Sequence, residues 1–505
     1  MPATTSEPGV FRSPLVFDSD GRHDLGMSSR WHPSRLTGVC RYWRAITSLS
    51  PSIWTIVNFG DRYRCPNSHQ SLARLCLQRS CGASLDVFLW TYIPDEVKPW
   101  AVDTLPAHSA RFRSFHAYGF AFDASFLEHF SREPAPVLES LFLWSDSHER
   151  MTLPVLFCGA TPSLRRLTLH CVDSWRGNKF MGLTVLRLKN CAQALTCTEF
   201  LDFLACSPNL EELSLFEGGP RAESASSERR SIHFPRLTTV HIHGIHPVSA
   251  STILAQIVPS PNSLRLTVGA STLPMTQISG YASLRDTGKV QVGLFYDGIR
   301  IAGAGPSTSF TLRSSSGDPV EPSCVEAAAA FFAEHNITEV TLCPTTPSGA
   351  DTTTWSRLLQ AMPGVSRLVI APTCAESRTE LIRVLCSPVD EPATETSACR
   401  SYLLPNLIDI VLKDTTNSLR CTTTIMECAK LLKLRCLNDS TGVERIVFVK
   451  NDDFGEVRTV QEQYELYADC FEGLKVQLDV VTDFETPEWA SWDGPRAEQK
   501  WLLRP

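Results

Sequence analysis

Histidines at 241, 243 and 246, in the run His-Ile-His-Gly-Ile-His, form the densest group of metal-ligand side chains in the chain. On a strand, residues two apart share a face, so His241 and His243 suit a pair of metal ligands. The same alternation equally leaves both rings facing solvent. No acidic residue or cysteine stands close enough in sequence to complete a set, so no metal site is assigned and no cofactor is expected. Asp453-Phe454-Gly455 spells the kinase metal motif, but no H-R-D loop precedes it and it reads as chance. The phosphate-binding G-x-x-x-x-G-K-[ST], the nucleophile elbow G-x-S-x-G and the zinc helix H-E-x-x-H are all missing. Gly303-Ala304-Gly305 runs into Pro306 in a Ser-rich stretch, which does not suit a dinucleotide turn. The 18 cysteines include no C-x-x-C, the pairing that zinc ribbons and thioredoxin-like sites need. These patterns predict a protein that is not an enzyme.

The elements that position these residues are set by a recurring motif, P-x-L-x-x-L-x-L or a close relative. It occurs as PVLESLFL (Leu138, Leu141, Leu143), PSLRRLTL (Leu164, Leu167, Leu169) and GLTVLRL (Leu183, Leu186, Leu188). PNLEELSL (Leu210, Leu213, Leu215) and PRLTTVHI (Leu237, Val240, Ile242) follow. The first leucine advances by 26, 19, 27 and 27 positions, within the ~20–29-residue period of leucine-rich repeats. The last two apolar positions lie two apart, so they point the same way from a strand. Further copies return at 337–342, 363–370, 405–412 and 442–449, with helix-like stretches such as Glu199–Ser207 and Trp355–Met362 between strands. A unit this small cannot bury its own core and must stack on its neighbours. The expected fold class is therefore α/β, an irregular leucine-rich-repeat solenoid of parallel strands and helices. Val290–Ile301 reads as a hairpin with Asp297-Gly298 at its turn, and polar loop insertions are expected near 218–231 and 302–323.

The motif also says which side chains face away from the leucines. They are Phe142 and Trp144, Thr168 and His170, Arg187 and Lys189, Ser214 and Phe216, and His241 and His243. Among these Phe142, Trp144, His170, Arg187, Lys189, Phe216, His241 and His243 form an aromatic and cationic set of the kind that carries protein-binding energy. They are the candidate substrate-binding residues. An ordinary solvated face, or one covered by a loop, remains the alternative.

Ahead of the repeats, Leu36, Val39, Cys40, Trp43 and Ile46 fall at i, i+3, i+4, i+7 and i+10, one apolar face of a helix of about three turns. Arg41, Arg44 and Thr47 lie off that face. Pro33-Ser34 suits the start and Ser50-Pro51 the stop, and Ile53 and Trp54 follow as a second apolar cluster. A piece this short cannot bury two tryptophans by itself. The run VCRYWRAITSLSPSIW resembles the second half of an F-box, and is especially similar to the large fungal family in which an F-box-like segment precedes leucine-rich repeats. Val39, Cys40, Arg41, Trp43, Arg44, Pro51, Ile53 and Trp54 carry the resemblance. The L-P-x-E helix that opens an F-box has no counterpart in the preceding residues. A following helix from Ser71 to the C-cap Gly82, then a strand over Leu85–Trp90, resembles the first unit of that family's repeat region.

The resemblance implies a substrate receptor of an SCF-type cullin-RING ubiquitin ligase. Its segment at 31–60 would hold a Skp-type adaptor and cullin complex through Leu36, Val39, Cys40, Trp43, Ile46, Ile53 and Trp54. The repeats at 61–480 would present an unidentified protein substrate. A stand-alone repeat scaffold, whose F-box-like segment only caps the first repeat, stays open. Residues 1–30 read as a disordered tail and 481–505 as a C-terminal tail. A net charge of −7 argues against a nucleic-acid partner held by a general basic field. No apolar run is long enough for a membrane span, and no signal-peptide pattern opens the chain, so a cytoplasmic or nuclear protein is expected.

Overall fold

The computed structural model describes residues 33–59, 66–89, 98–119, 124–145, 151–222, 231–259, 264–270, 289–295, 298–304, 308–314, 322–344, 352–370, 381, 383–385, 403–413, 443–449 and 477–481. The expected tail at 1–30, the Asp453 motif and residues 482–505 lie outside them. The chain divides into two units, Met1–Leu183 with Trp492–Pro505, and Thr184–Ser491. The architecture is α/β, with parallel strands joined through helices and short 3-10 turns.

In the first unit five strands, β1 (Ile56–Phe59), β2 (Leu85–Leu89), β3 (Phe112–Tyr118), β4 (Ser140–Trp144) and β5 (Arg166–His170), pair in chain order, all parallel. Register aligns Val57, Val87, Phe115, Leu141 and Leu167 in one row, and Phe59, Leu89, Ala117, Leu143 and Leu169 in the next. All ten are buried. Because side chains alternate along a strand, the two inward positions of each motif stack directly on those of its neighbours. The first leucine of the motif is also buried, at a turn closed by its own N–H: Leu138 donates to the Ala135 carbonyl and Leu164 to Thr161. Phenylalanines fill the space behind β3, with the Phe115 ring 4.9 Å from Phe130 and edge-on to Phe157 at 6.0 Å.

The second unit begins with β6 (Val185–Lys189), β7 (Glu212–Phe216), β8 (Thr239–His243) and β9 (Leu264–Ala270), again parallel and in chain order. Three strands then break the sequence: β10 (Lys289–Phe295), β11 (Gly298–Ala304) and β12 (Thr308–Ser314). They form an antiparallel meander. Its last strand, β12, lies beside β9, and its first, β10, lies beside β13 (Glu339–Pro344). The spatial order is thus β9-β12-β11-β10-β13, with β11 alone reversed. Parallel pairing resumes through β14 (Arg367–Ile370), β15 (Asp409–Lys413), β16 (Arg445–Val449) and β17 (Gln477–Val481). The leucine row passes through the meander: Leu188, Leu215, Ile242 and Val268 continue by way of Leu312 to Ile301, Val292, Leu342 and Ile370.

Four local expectations change. The stretch 302–323, read as a loop from its Ser, Gly and Pro content, contains β12. There Ser309, Phe310, Thr311 and Leu312 alternate at the strand period and occupy the gap beside β9. Gly298 pairs with Phe295 and opens β11 instead of sitting in the hairpin turn. The first residues of the expected polar loop at 218–231 are packed: Gly218 and Pro220 are buried, and Arg221 accepts from the Cys197 N–H at 3.0 Å. The helix expected from Ser71 runs over Pro66–Arg79, and the positive-φ residue after it is Cys81 (φ 49°), not Gly82. The turn closes there because the Ala83 N–H donates to the Ser80 carbonyl at 2.9 Å.

Candidate functional site

The segment ahead of β1 forms two helices instead of one, α1 (Pro33–Val39) and α2 (Arg41–Leu49), followed by a 3-10 turn over Pro51–Trp54. The break is at Cys40, whose backbone is extended (φ −158°, ψ 174°). Gly38 and Val39 are poor helix formers at this point. Cys40 then acts as the N-cap of α2, its thiol accepting from the Trp43 N–H at 3.5 Å and its carbonyl from the Arg44 N–H at 3.0 Å. The Arg44 Nε donates to the Thr37 carbonyl at 2.9 Å and ties the two helices together.

Much of the apolar surface of this segment is exposed. Val39 is 64% exposed, Tyr42 71%, Trp43 45%, Ile46 37% and Leu49 82%. Tyr42, Ile46 and Leu49 follow one another at helical spacing with Trp43 beside them, so these side chains form one apolar patch, flanked by the exposed Arg41 and Arg44. Thr47, which the spacing placed off the apolar face, is the one buried residue of α2. Of the expected adaptor-side residues, Val39, Cys40, Trp43 and Ile46 are exposed, and Leu36 and Ile53 are half-buried. Trp54, also expected on the adaptor side, is fully buried. Its indole N–H donates to the Thr47 carbonyl at 2.7 Å, and the Arg79 guanidinium lies 4.6 Å from its ring centre.

The expected eight-residue face falls into two sets, one in each unit. In the first unit Trp144 and His170 are half-buried and stacked at 4.0 Å, with His170 Nδ1–H donating to the Ser145 carbonyl at 2.7 Å. Phe142 is buried, against the expectation, because the rings of Tyr118 at 4.5 Å and His116 at 5.6 Å pack on it. His116, Tyr118 and the half-buried Phe88 belong to this aromatic face and were missed, since β2 and β3 lack the leucine motif. The alternation Ser114, His116 and Tyr118 in FRSFHAY was the available signal. Burial pushes the His116 imidazole down to about 4 and the Tyr118 phenol up.

In the second unit Arg187 holds Glu212 through two hydrogen bonds, Nε to Oε1 at 2.6 Å and Nη2 to Oε2 at 3.0 Å, and the Ser214 hydroxyl adds a third at 3.1 Å. Burial pushes Glu212 up, but the Arg187 hydrogen bonds and charge outweigh it and leave the carboxyl below its usual range. Lys189 pairs with Glu217 at 3.6 Å. His241 and Phe216 are buried, again against the expectation of exposure. His241 lies between Ser214 and Thr267 in register, close to the Arg187–Glu212 pair, and burial drives its imidazole down to about 4. His243 is half-buried above Gly269, where an added Cβ would clash with the ring. His246 accepts the Val248 N–H and caps the helix Pro247–Gln256. Farther along the same face Val369, Val411 and Val447 form a buried apolar cluster that no aromatic or charged motif marked.

The chain matches no family model and no curated protein.

Among the described residues no group of three or more His, Cys, Asp or Glu is arranged to hold a metal ion. No helix among them is long and apolar enough to cross a membrane. The arrangement suits binding: Tyr, Trp and Arg together at an exposed, helix-borne patch are the side chains that dominate protein-interface energetics. A patch of five large apolar side chains is more than water contact accounts for in scattered surface residues.

Proposed function

We propose that this chain is an F-box-like leucine-rich-repeat protein that acts as a substrate receptor of an SCF-type cullin-RING ubiquitin ligase. In this reading α1 and α2 hold the Skp-type adaptor, the repeat strands present the substrate, and the protein works in the cytoplasm or nucleus. It makes and breaks no bonds itself. It raises the effective concentration of substrate lysines near the conjugating enzyme.

The observation that supports this best is the outward patch Val39, Tyr42, Trp43, Ile46 and Leu49. If the segment served only to cap the first repeat, these side chains would be turned inward. The parallel register that carries PVLESLFL onto PSLRRLTL in the first unit, and GLTVLRL onto PNLEELSL and PRLTTVHI in the second, supports the repeat half of the reading.

Co-purification of the full chain with a Skp-type adaptor tests the proposal. The wild-type chain is expected to form a complex, and Trp43→Ala to weaken it by at least about tenfold with an unchanged melting temperature. No complex with the wild-type chain overturns the reading.

A further inference from the structure

The two tryptophans of this segment do different work. Trp43 lies in the exposed patch, whereas Trp54 is fully buried. The last carbonyls of any helix lack intrahelical partners. In α2 the Thr47 carbonyl is one of them, and it accepts the Trp54 indole N–H at 2.7 Å as well as the Ser50 N–H at 3.4 Å. Thr47 is also the only residue of α2 that is buried. The N–H uses the edge of the indole, and its ring face meets Arg79, the last residue of the helix Pro66–Arg79, which precedes β2. Trp54 therefore touches the exposed helix with its edge and the sheet-supporting helix with its face.

We infer that Trp54 is the positioning residue of the docking arm: its indole caps α2 and holds the patch at a fixed attitude to the strands behind it. The inference rests on the adaptor reading for what the patch binds, but the capping itself is independent of any partner. Loss of the indole N–H leaves the Thr47 carbonyl buried without that donor, which loosens α2 while leaving the packed strands intact.

Hydrogen–deuterium exchange on the full chain tests this with two variants. Trp54→Phe keeps an aromatic ring against Arg79 and removes the donor. Thr47→Val keeps the carbonyl acceptor and removes a hydroxyl that is buried without a hydrogen-bond partner. In Trp54→Phe the amides of residues 41–50 are expected to exchange about five- to tenfold faster, the size of one lost hydrogen bond, with Leu85–Leu89 and Phe112–Tyr118 unchanged. Thr47→Val is expected to exchange like the wild type. Wild-type rates over 41–50 in Trp54→Phe overturn the inference. So does equal acceleration of arm and strands, or acceleration by Thr47→Val as large as that by Trp54→Phe. Adaptor affinity, measured on the same proteins, is expected to fall in Trp54→Phe with the patch residues intact. An adaptor that binds no variant and no wild-type chain removes the ligase reading, while the exchange rates still decide the role of Trp54.

Discussion

Two helices of nine residues, α2 (Arg41–Leu49) and Cys197–Ala205, use apolar side chains in opposite ways. Cys197–Ala205 buries Cys197, Phe200, Leu201 and Leu204 and exposes Glu199 and Asp202. Its start is held by a full capping box, in which the Thr196 hydroxyl accepts the Glu199 N–H and the Glu199 carboxylate accepts the Thr196 N–H. In α2 the order is reversed: Thr47 is inside while Tyr42, Trp43, Ile46 and Leu49 are outside, and a thiol serves as the cap. The helix Cys197–Ala205 lies between the consecutive strands β6 and β7, and the helix Pro247–Gln256 packs beside it. α2 precedes the first strand and is met by α1 and by the Trp54 turn. A helix's periodicity defines its apolar face, and the neighbours decide whether that face is a core or a binding surface.

The largest test of this contrast is a pair of truncations. Phe200→Ala is expected to cost about 3–5 kcal/mol in chemical denaturation, the usual penalty for a fully buried ring. Trp43→Ala is expected to cost less than about 0.5 kcal/mol, as a surface change does. Equal costs would break the distinction between the two helices.

Acid separates the regions next. His116 and His241 have folded pKa values lowered to about 4 from 6.5, mainly by burial. Opposing influences are Asp86 for His116 and Glu212 for His241, while Arg166 acts with burial on the first and Arg265 and Arg187 on the second. A lowered histidine pKa favours the fold when the ring is neutral. Its contribution is therefore complete above pH 6.5 and is lost as pH falls toward 4, at most about 3 kcal/mol for each ring. Melting temperatures across that range should fall for the wild-type chain and less steeply for His241→Asn. A profile unchanged by that substitution would remove His241 as a source. No buried histidine lies among the described residues of the arm, so protection of α2 should change less than that of β3 and β8.

Smaller effects concern the caps. Thr196→Ala removes one half of the capping box and should cost about 1 kcal/mol, read as a shift in the denaturation midpoint. Cys40→Ser replaces a weak thiol acceptor by a hydroxyl at the same place, and should slow amide exchange in α2 by about twofold. Faster exchange in that variant would mean that the thiol contributes through packing and not through the cap.

Much of the strand framework is legible from the leucines. Positions 141 and 143, 167 and 169, 213 and 215, and 240 and 242 lie on buried strand faces because period 2 is a local property of the backbone. β12 is masked by the Ser, Gly and Pro content around it, although Ser309–Leu312 alternates at the strand period. The break at Cys40 was hidden because apolar spacing continues across it, and only the backbone at Cys40 interrupts the helix. For the candidate site, spacing identified Val39, Trp43 and Ile46, but not Tyr42 and Leu49, whose importance lies in their exposure. Phe142, Phe216 and His241 were expected outside for the opposite reason: alternation assigns a side of the sheet, and both sides of this one are largely covered at those positions.

The amino-acid order alone determined the leucine period, the strands it marks, and the presence of an unusually apolar segment before them. Each of these follows from contacts within a few residues. The tertiary structure decided which tryptophan faces inward, that β12 and not β10 lies beside β9, and that His241 is buried near the Arg187–Glu212 pair. Those outcomes depend on partners tens of residues away, from Arg79 behind Trp54 to Thr308–Ser314 beside β9. No local pattern encodes which distant surface arrives there.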